Sequence, residues 1–427
     1  MTAPIKLLSN DMPGAPQLTN AWGAMTALLD ACLVDGFHLK TINSLTSADG
    51  VATATISGGH QYRAGQVVSV SGASQSAYNG DFTVLSVTGT TFTYAVTGNP
   101  SSPATGTLAS KTAPLGWQIA FTGTNKRAYR SLNVSSARPY LRVDDGLDAA
   151  YTTTYAKFAK VTMAEGMTDI DTFVGARAPY DPLAPTKNEV GTGSGTTAYN
   201  GWYKWYYAKA AANAADTSAP PAGNRGWCLV GDDRGFYLFV ESIDGYGLGG
   251  KCFTDFASFR ANDGYASILC AQAAYFPANT APTTIDSVAY VTSDLGSRFP
   301  RTLDTTGKVL MRPYLQVGSN VNVSFTSLNT NNAQIVSGYS TGVLWPNGPD
   351  YGLILSPVLL KEGSHLRGQM PGMFFVHNDS PGLDHLEQIT GVTGYPGRTF
   401  AIVKAAHGSG GAPLTAFMAF DITGPWW

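Results

Sequence analysis

The amino-acid sequence predicts an all-β protein, mainly of antiparallel sandwiches or barrels, with one short helix near its start. Short runs of β-branched and aromatic residues recur along the chain, and turn-forming residues separate them. Helical patterns do not alternate with these runs, which argues against a parallel βαβ sheet. The length of 427 residues exceeds the size at which one hydrophobic core usually keeps growing, so we expect several domains.

The first segment contains the clearest helical pattern. Apolar residues recur there at spacings of three and four, namely Leu18, Trp22, Met25, Leu28, Leu29 and Cys32. Gly36 follows as a natural C-terminal stop. We predict a helix over residues 18–35 whose apolar stripe packs within its own domain, with docking of a partner helix as the alternative.

After this helix the composition changes to Gly, Ser, Thr and Val over residues 44–111. A turn is predicted at 78–81, and strands are predicted at 51–56, 66–70, 82–87 and 91–96. The stretch is typical of a small Ig-like or barrel module. It looks inserted, because the strand-like runs at 37–42 and 116–121 on either side of it are placed to pair as neighbours.

The predicted organisation therefore has four parts. An N-terminal β domain comprises 1–43 and 112–150, the module occupies 44–111, and a central and a C-terminal β domain follow at 151–305 and 306–427. Strands in these parts are predicted at 140–143, 158–163, 227–230, 236–240, 309–315, 321–325, 353–360, 373–376 and 399–404. An Ala-rich stretch at 206–215 predicts one short helix.

Charge and composition exclude some functions. Charged residues make up 13% of the chain, about half the usual ~25%, and the net charge is -2 with no Lys/Arg cluster. A nucleic-acid partner is therefore not expected, because binding to the phosphate backbone requires such a cluster. The start lacks the pattern of a signal peptide and no window approaches 18 apolar residues, so we expect synthesis in the cytosol and no membrane insertion.

Cysteine usage points to buried thiols. Cys32, Cys228, Cys252 and Cys270 are too few and too scattered for a disulfide framework or a C-x-x-C metal site. Free cysteine usually behaves as a small hydrophobic residue.

One segment matches the G-x-S-x-G motif of esterases, at residues 338–342, with Asp350 and His365 downstream as acid and base. The nucleophile elbow requires a helix directly after Ser340, and the sequence LWPNGP at 344–349 cannot form one. We therefore favour a turn between strands over a hydrolase site.

Two other kinds of cluster offer metal or acid–base chemistry. His365, His377, Asp379, Asp384, His385 and Glu387 include imidazole and carboxylate ligands but lack a recognised spacing, so a polar loop is the simpler interpretation. Asp144-Asp145 and Asp232-Asp233 offer adjacent carboxylates for Ca²⁺ or for a glycosidase pair. Adjacent strand residues point to opposite faces, so hairpin turns are favoured there. We predict no catalytic residue, metal or cofactor.

An aromatic run provides the remaining candidate for a site. It contains Trp202, Tyr203, Trp205, Tyr206 and Tyr207, so aromatic side chains lie on both faces of the predicted strand. Such side chains stack on sugar rings and anchor protein interfaces. Glycan or subunit contact is one interpretation, and burial between sheets is the commoner one.

Several blocks resemble tail and baseplate proteins of siphophages, which are tailed bacteriophages. They are NDMPGAPQL at 10–18, TGTNKRAYR at 122–130, RPYLRVDD at 138–145, HLRGQMPG at 365–372 and FDITGPW at 420–426. Within the module, GQVVSVSG at 65–72 and YNG at 78–80 are similar to Ig-like or barrel decorations of phage tail proteins. The blocks leave the middle of the chain uncovered and carry no catalytic motif.

The resemblance implies a structural role in the virion, in the tail or baseplate, with other tail proteins as partners. Low charge and abundant aromatic residues suit assembly through β-rich interfaces. We expect a homo-oligomer of trimer or hexamer symmetry, because in a closed ring of subunits each exposed strand edge is covered by a defined neighbouring subunit. The alternatives are an adhesin that contacts host cell-surface glycan, a capsid decoration protein and, last, a glycan or ester hydrolase.

Overall fold

The all-β prediction is confirmed by the computed structural model, which describes residues 4–194, 201–211, 216–245, 247–273, 307–326, 352–378, 382–407 and 414–427. These residues contain 28 strands and one α-helix, and the strands form four seven-stranded sheets with antiparallel pairing. None of the helices in this part of the chain is long and apolar enough to cross a membrane.

Three of the four sheets are stacked as layers, which we call the front, middle and back sheets. The front sheet has the order β20-β14-β12-β11-β10-β9, and β13 pairs with β12. Its strands are β9 Trp117–Gly123, β10 Lys126–Ser131, β11 Tyr140–Asp144, β12 Lys157–Asp169, β13 Thr172–Ala178, β14 Tyr203–Ala208 and β20 Gln272–Ala273.

The middle sheet has the order β1-β15-β16-β17-β19-β21-β22. Its strands are β1 Lys6–Ser9, β15 Trp227–Gly231, β16 Gly235–Val240, β17 Gly249–Asp255, β19 Ser267–Cys270, β21 Lys308–Leu310 and β22 Val321–Asn322. Every residue of β15, β16 and β17 is buried. Both faces of this sheet are covered, which explains why its strands are continuous apolar runs in the sequence.

The back sheet has the order β23-β24-β25-β28-β27-β26, and β18 pairs with β25. Its strands are β18 Ala257–Ser258, β23 Ser324–Thr326, β24 Leu355–Glu362, β25 His365–Val376, β26 Gln388–Thr390, β27 Thr399–His407 and β28 Leu414–Asp421.

Alternating side chains of the middle sheet build two separate cores. Trp227 and Leu229 pack toward the front sheet, against residues such as Val161. Cys228 and Val230 point the other way and pack against the back sheet. The four cysteines are free and buried, which confirms their prediction as buried thiols.

The fourth sheet belongs to the module and has the order β2-β8-β5-β6-β7-β4-β3. Its strands are β2 Phe37–Thr41, β3 Ser44–Ala48, β4 Val51–Thr55, β5 Val67–Ala73, β6 Gly80–Val87, β7 Thr91–Ala95 and β8 Gly106–Thr112. A short 3₁₀ turn, Ser76–Tyr78, precedes β6. The module has its own core, which includes Tyr78, Phe92 and Tyr94.

The predicted pairing of the strands that flank the module is wrong. Phe37 in β2 pairs with Thr112 in β8, and Trp117 in β9 pairs with Ser131 in β10. Backbone hydrogen bonds from Leu115 N to Cys32 O (2.9 Å) and from Gly116 N to Leu33 O (3.1 Å) close the base of the module. The strand β2 therefore extends the module sheet instead of joining β9.

The N-terminal helix is shorter than its apolar pattern predicts. α1 spans Ala24–Leu29, and a π-helical segment, Asp30–Asp35, continues it to Gly36. Gly36 has a φ of 70°, consistent with the predicted stop. Leu18 lies outside the helix, in an isolated antiparallel bridge with Arg225. The pairing of Leu18 with the distant Arg225 thus replaces the helix that the apolar spacing predicts before Gly23.

Three other predictions also need correction. The predicted helix at 206–215 is wrong over its first residues, which belong to β14, and 212–215 lie outside the described residues. The predicted strand at 309–315 ends at Leu310. The predicted strand at 321–325 is split, since Val321–Asn322 joins the middle sheet and Ser324–Thr326 joins the back sheet.

Candidate functional site

A cleft of about 630 Å³ lies between the β12–β13 hairpin of the front sheet and the loop that follows β21 of the middle sheet. Its volume falls in the range of small-molecule sites, ~300–1,000 Å³. The lining residues come from two distant stretches of the chain: Asp171, Thr172, Phe173, Gly175, Ala176, Arg177 and Tyr180 from the first, and Met311, Arg312, Gly318 and Ser319 from the second.

Glu165 fastens the two walls of the cleft together. Its Oε2 accepts hydrogen bonds from Ala176 N (2.9 Å) and from the Arg312 guanidinium (3.3 Å), and its Oε1 accepts one from Tyr265 OH (2.9 Å). The Ala176 backbone hydrogen bond is the main cause that lowers the pKa of Glu165. Gly175 has a φ of +77°, and a Cβ there would lie 2.5 Å from Glu165 Oε2. Glycine is therefore required for this close approach.

Arg177 is the most distinctive cation of the cleft. Its guanidinium carbon lies 4.6 Å from the centroid of the Phe173 ring and 4.6 Å from that of Tyr180. It donates one hydrogen bond to Pro185 O. It forms no ion pair with a carboxylate of the described residues, although Glu189 interacts with it at longer range. The two rings thus hold a cation whose other N–H groups are free to donate.

The remaining charges at the cleft are compensated. Asp171 accepts hydrogen bonds from Arg142 and from Lys126 Nζ (3.0 Å). Arg312 pairs with Glu165, but its Nε is buried without a hydrogen-bond partner. Nη1 of Arg142 is likewise buried and unpaired. An unpaired buried donor costs free energy, and because this Nε is shielded from solvent a molecule in the cleft cannot reach it.

The aromatic run of β14 is buried inside the chain. Tyr203, Trp205 and Tyr207 lie in the core between the front and middle sheets. Tyr206 points to the opposite face, into a smaller cluster with Phe158. A sugar ring or a partner subunit cannot reach these four side chains in the folded protein. Two cores, one on each face of β14, account for the aromatic run.

Trp202 is the exception, since its side chain is half-buried. Lys187 Nζ lies 4.4 Å from the centroid of its ring. Of the five aromatic candidates, only Trp202 therefore has surface left for a contact outside the chain.

The Asp144-Asp145 pair has structural partners on both faces of the chain. Asp144 forms ion pairs with Arg142 (3.2 Å) and Lys160 (3.3 Å). Asp145 accepts a hydrogen bond from Met25 N (2.8 Å) at the start of α1, and its other oxygen lies 2.6 Å from Tyr207 OH. Burial raises the pKa of Asp145 to about 8. Asp145 therefore joins α1 to the front sheet, and neither carboxylate lies in a tight hairpin, since β12 begins only at residue 157.

The Asp232-Asp233 pair lies in the connection between β15 and β16, as the hairpin prediction requires. Asp232 accepts hydrogen bonds from Arg234 N (2.8 Å) and from the Trp427 indole (2.8 Å). Burial raises its pKa to about 6. The carboxylate therefore stabilises the turn and holds the Trp427 side chain.

Those other sequence candidates that the structure describes are not brought into a site. The G-x-S-x-G segment, Asp350 and Asp379 lie outside the described residues. His365 is exposed in β25, whereas His377 Nε2 lies 2.6 Å from Ser356 Oγ. Lys404 Nζ lies 3.8 Å from Asp384 Oδ1, and His385 Nδ1 accepts a hydrogen bond from Lys404 N (3.3 Å). Within the described ranges, no three His, Cys, Asp or Glu side chains are grouped so that they could hold a metal ion.

Sequence reasoning did not find the cleft, because neither wall carries a motif and the two walls are far apart in the chain. Comparison with models of known protein families and with curated proteins found no match for this chain.

Proposed function

We propose that this chain is a structural subunit of a tailed-bacteriophage particle, located in the tail or baseplate. The observation that carries the proposal is the stack of three sheets, in which one chain covers both faces of its own middle sheet. The sequence blocks that resemble siphophage tail proteins support the assignment to a phage tail in particular.

Such a stack is suited to mechanical rigidity. The middle sheet has close-packed side chains on each face, and close-packed interiors have low compressibility and transmit strain. Some buried charges are also fixed by ion pairs, as when Asp216 pairs with Lys204 (2.9 Å) and Lys209 (3.1 Å). A subunit that keeps its shape within a repeated assembly needs these properties.

The surface offers apolar side chains for contacts with neighbouring subunits. Exposed examples are found on the module and on loops of the stack: Leu39, Leu85, Val134, Leu183 and Leu315. Apolar residues scattered in this way support contacts with other tail proteins or with further copies of the chain. Trimer or hexamer symmetry would give each contact a fixed partner.

The first test is mass spectrometry of intact, purified particles of the phage whose genome encodes this chain, followed by immunogold electron microscopy. We expect the protein in the particles and gold label at the tail end. Label on the head would contradict the tail or baseplate position and favour capsid decoration. Particles that lack the protein would refute the structural role.

A second test concerns assembly alone. The purified chain is expected to form a trimer or hexamer in light scattering coupled to size-exclusion chromatography. A monomer at all concentrations, also after addition of the neighbouring tail proteins, would contradict assembly through its own surfaces.

A further inference from the structure

The cleft between the β12–β13 hairpin and the loop after β21 contains the guanidinium of Arg177, which two aromatic rings hold in place and which has N–H groups that donate no hydrogen bond to the described residues. Phe173 and Tyr180 fix the plane of the Arg177 guanidinium, and its free N–H groups have no carboxylate partner within 4 Å among the described residues. Arg312 adds positive charge to the opposite wall, where its guanidinium donates to Glu165 (3.3 Å) and to Gly318 O (3.4 Å). Planar guanidinium groups bind carboxylates through two parallel hydrogen bonds.

The rest of the lining combines apolar side chains with small polar residues. Met311 is buried, and Phe173 and Tyr180 expose part of their rings. Thr172, Gly318 and Ser319 provide hydroxyl and backbone groups at exposed positions. Apolar ring faces with surrounding hydrogen-bond groups match a sugar, which has an apolar face and peripheral hydroxyls.

We propose that this cleft binds an acidic saccharide unit, with Arg177 as the ligand of its carboxylate. The volume of about 630 Å³ accommodates one or two sugar rings. Asp171 does not repel the ligand strongly, because Arg142 and Lys126 already neutralise it. Glu189 opposes binding at longer range, which limits the expected affinity. This inference does not depend on the place of the chain in a particle.

The test is isothermal titration calorimetry of the full-length protein with sodium D-glucuronate and sodium D-galacturonate, and with D-glucose and D-galactose as neutral counterparts. We expect at least one acidic sugar to bind with a dissociation constant of about 1 mM or below, and its neutral counterpart to bind at least tenfold more weakly. Acetate and the tripeptide Ala-Ala-Ala serve as carboxylates without a sugar ring.

Variants assign the binding to the cleft. Arg177→Lys keeps the charge but loses the planar donor pair, and we expect at least a tenfold loss of affinity. Arg260→Lys is the matched control, since Arg260 also lies over a tyrosine ring, Tyr314 at 5.7 Å, but does not line the cleft. Ser319→Trp fills the cleft from an exposed position, so it blocks binding even if an Arg177 variant proves unstable.

Four results would overturn the inference. The first is that neither acidic sugar gives heat, and the second is that neutral sugars bind with equal affinity. The third is that acetate or the tripeptide binds as tightly as the sugar acids. The fourth is that binding is unchanged in both Arg177→Lys and Ser319→Trp. The third result would assign the cleft to another class of carboxylate ligand.

Discussion

Lys251 is a fully buried lysine without a charged partner in the described chain. It lies in β17, opposite Leu238 of β16, and among the described residues its Nζ makes a 3.4 Å contact with Gly249 O. Burial lowers the pKa of Lys251 to about 7. The amine is therefore held in the core at a cost that depends on its protonation state.

We expect Lys251→Met to stabilise the protein. Between pH ~7 and ~10 the unfolded chain binds a proton that the folded chain does not, so wild-type stability rises with pH across this window. The increase in unfolding free energy from Lys251→Met should be largest at pH 6, on the order of 3–5 kcal/mol at most, and should vanish near pH 10. Urea unfolding at several pH values measures it. Lys361→Met, at a half-buried position of β24, is the control, and an equal, pH-independent effect of both variants would refute the explanation.

Trp205 and Trp202 belong to the same aromatic run but differ in burial, so replacing each one shows how much burial contributes to stability. Trp205 is 0% exposed, and its indole donates a hydrogen bond to Cys270 O (2.9 Å), which joins the front and middle sheets. Trp205→Ala is expected to cost ~3–5 kcal/mol of unfolding free energy, whereas Trp202→Ala should cost about 1 kcal/mol. Chemical denaturation followed by circular dichroism measures both. Similar costs would mean that Trp202 is also part of a core.

At the scale of elements, the β25 strand and the segment after β28 are fitted to each other at Gly372. Gly372 has a φ of +60°, and a Cβ there would lie 2.0 Å from Trp426 Nε1. The Trp426 indole donates to Asp421 O (2.8 Å) and packs at 5.9 Å from the Tyr237 ring. The absence of a side chain on Gly372 therefore allows Trp426 to cover the core between the middle and back sheets.

Gly372→Ala is expected to destabilise the protein by about 3 kcal/mol or more. Gly363→Ala is a matched control, because Gly363 has a φ of +56° and nothing within 4 Å of its added Cβ. It isolates the backbone cost, which should be about 1 kcal/mol. If the two substitutions cost the same in urea unfolding, the Trp426 contact contributes nothing. A Trp426→Ala background should remove most of the difference between them.

At the scale of the whole molecule, the module should fold by itself. Its core contains only residues from 42 to 108, and β2 and β8 pair at its base. Few contacts among the described residues join it to the stack, such as the ion pair of Lys6 Nζ with Asp81 (2.6 Å). We expect an isolated fragment of residues 37–112 to unfold cooperatively on heating and to give a well-dispersed amide NMR spectrum.

A fragment of residues 44–111 provides the comparison. It matches the module bounds predicted from sequence but lacks β2, so β8 becomes a sheet edge and Ile42 is missing from the core. It should be markedly less stable than 37–112. Equal stability would show that β2 contributes nothing to the module, and failure of both fragments would refute independent folding.

The sequence by itself determined the all-β class, the burial of the cysteines and most strand positions. These features depend on local patterns: runs of β-branched and aromatic residues, turn residues between them, and the lack of alternating helices. The helix stop at Gly36 and the turn at Asp232 and Asp233 are equally local.

The tertiary structure alone decided which strands pair, which faces are covered and where a cleft opens. Strand pairing joins residues far apart in the chain, as when Leu7 lies opposite Val230, and local patterns contain no information about such partners. For the same reason the aromatic run of β14 could not be assigned to a surface or a core until the layers on its two faces were known. Arg177 and Arg312 became parts of one cleft only because the front and middle sheets stack, which no spacing in the sequence reveals.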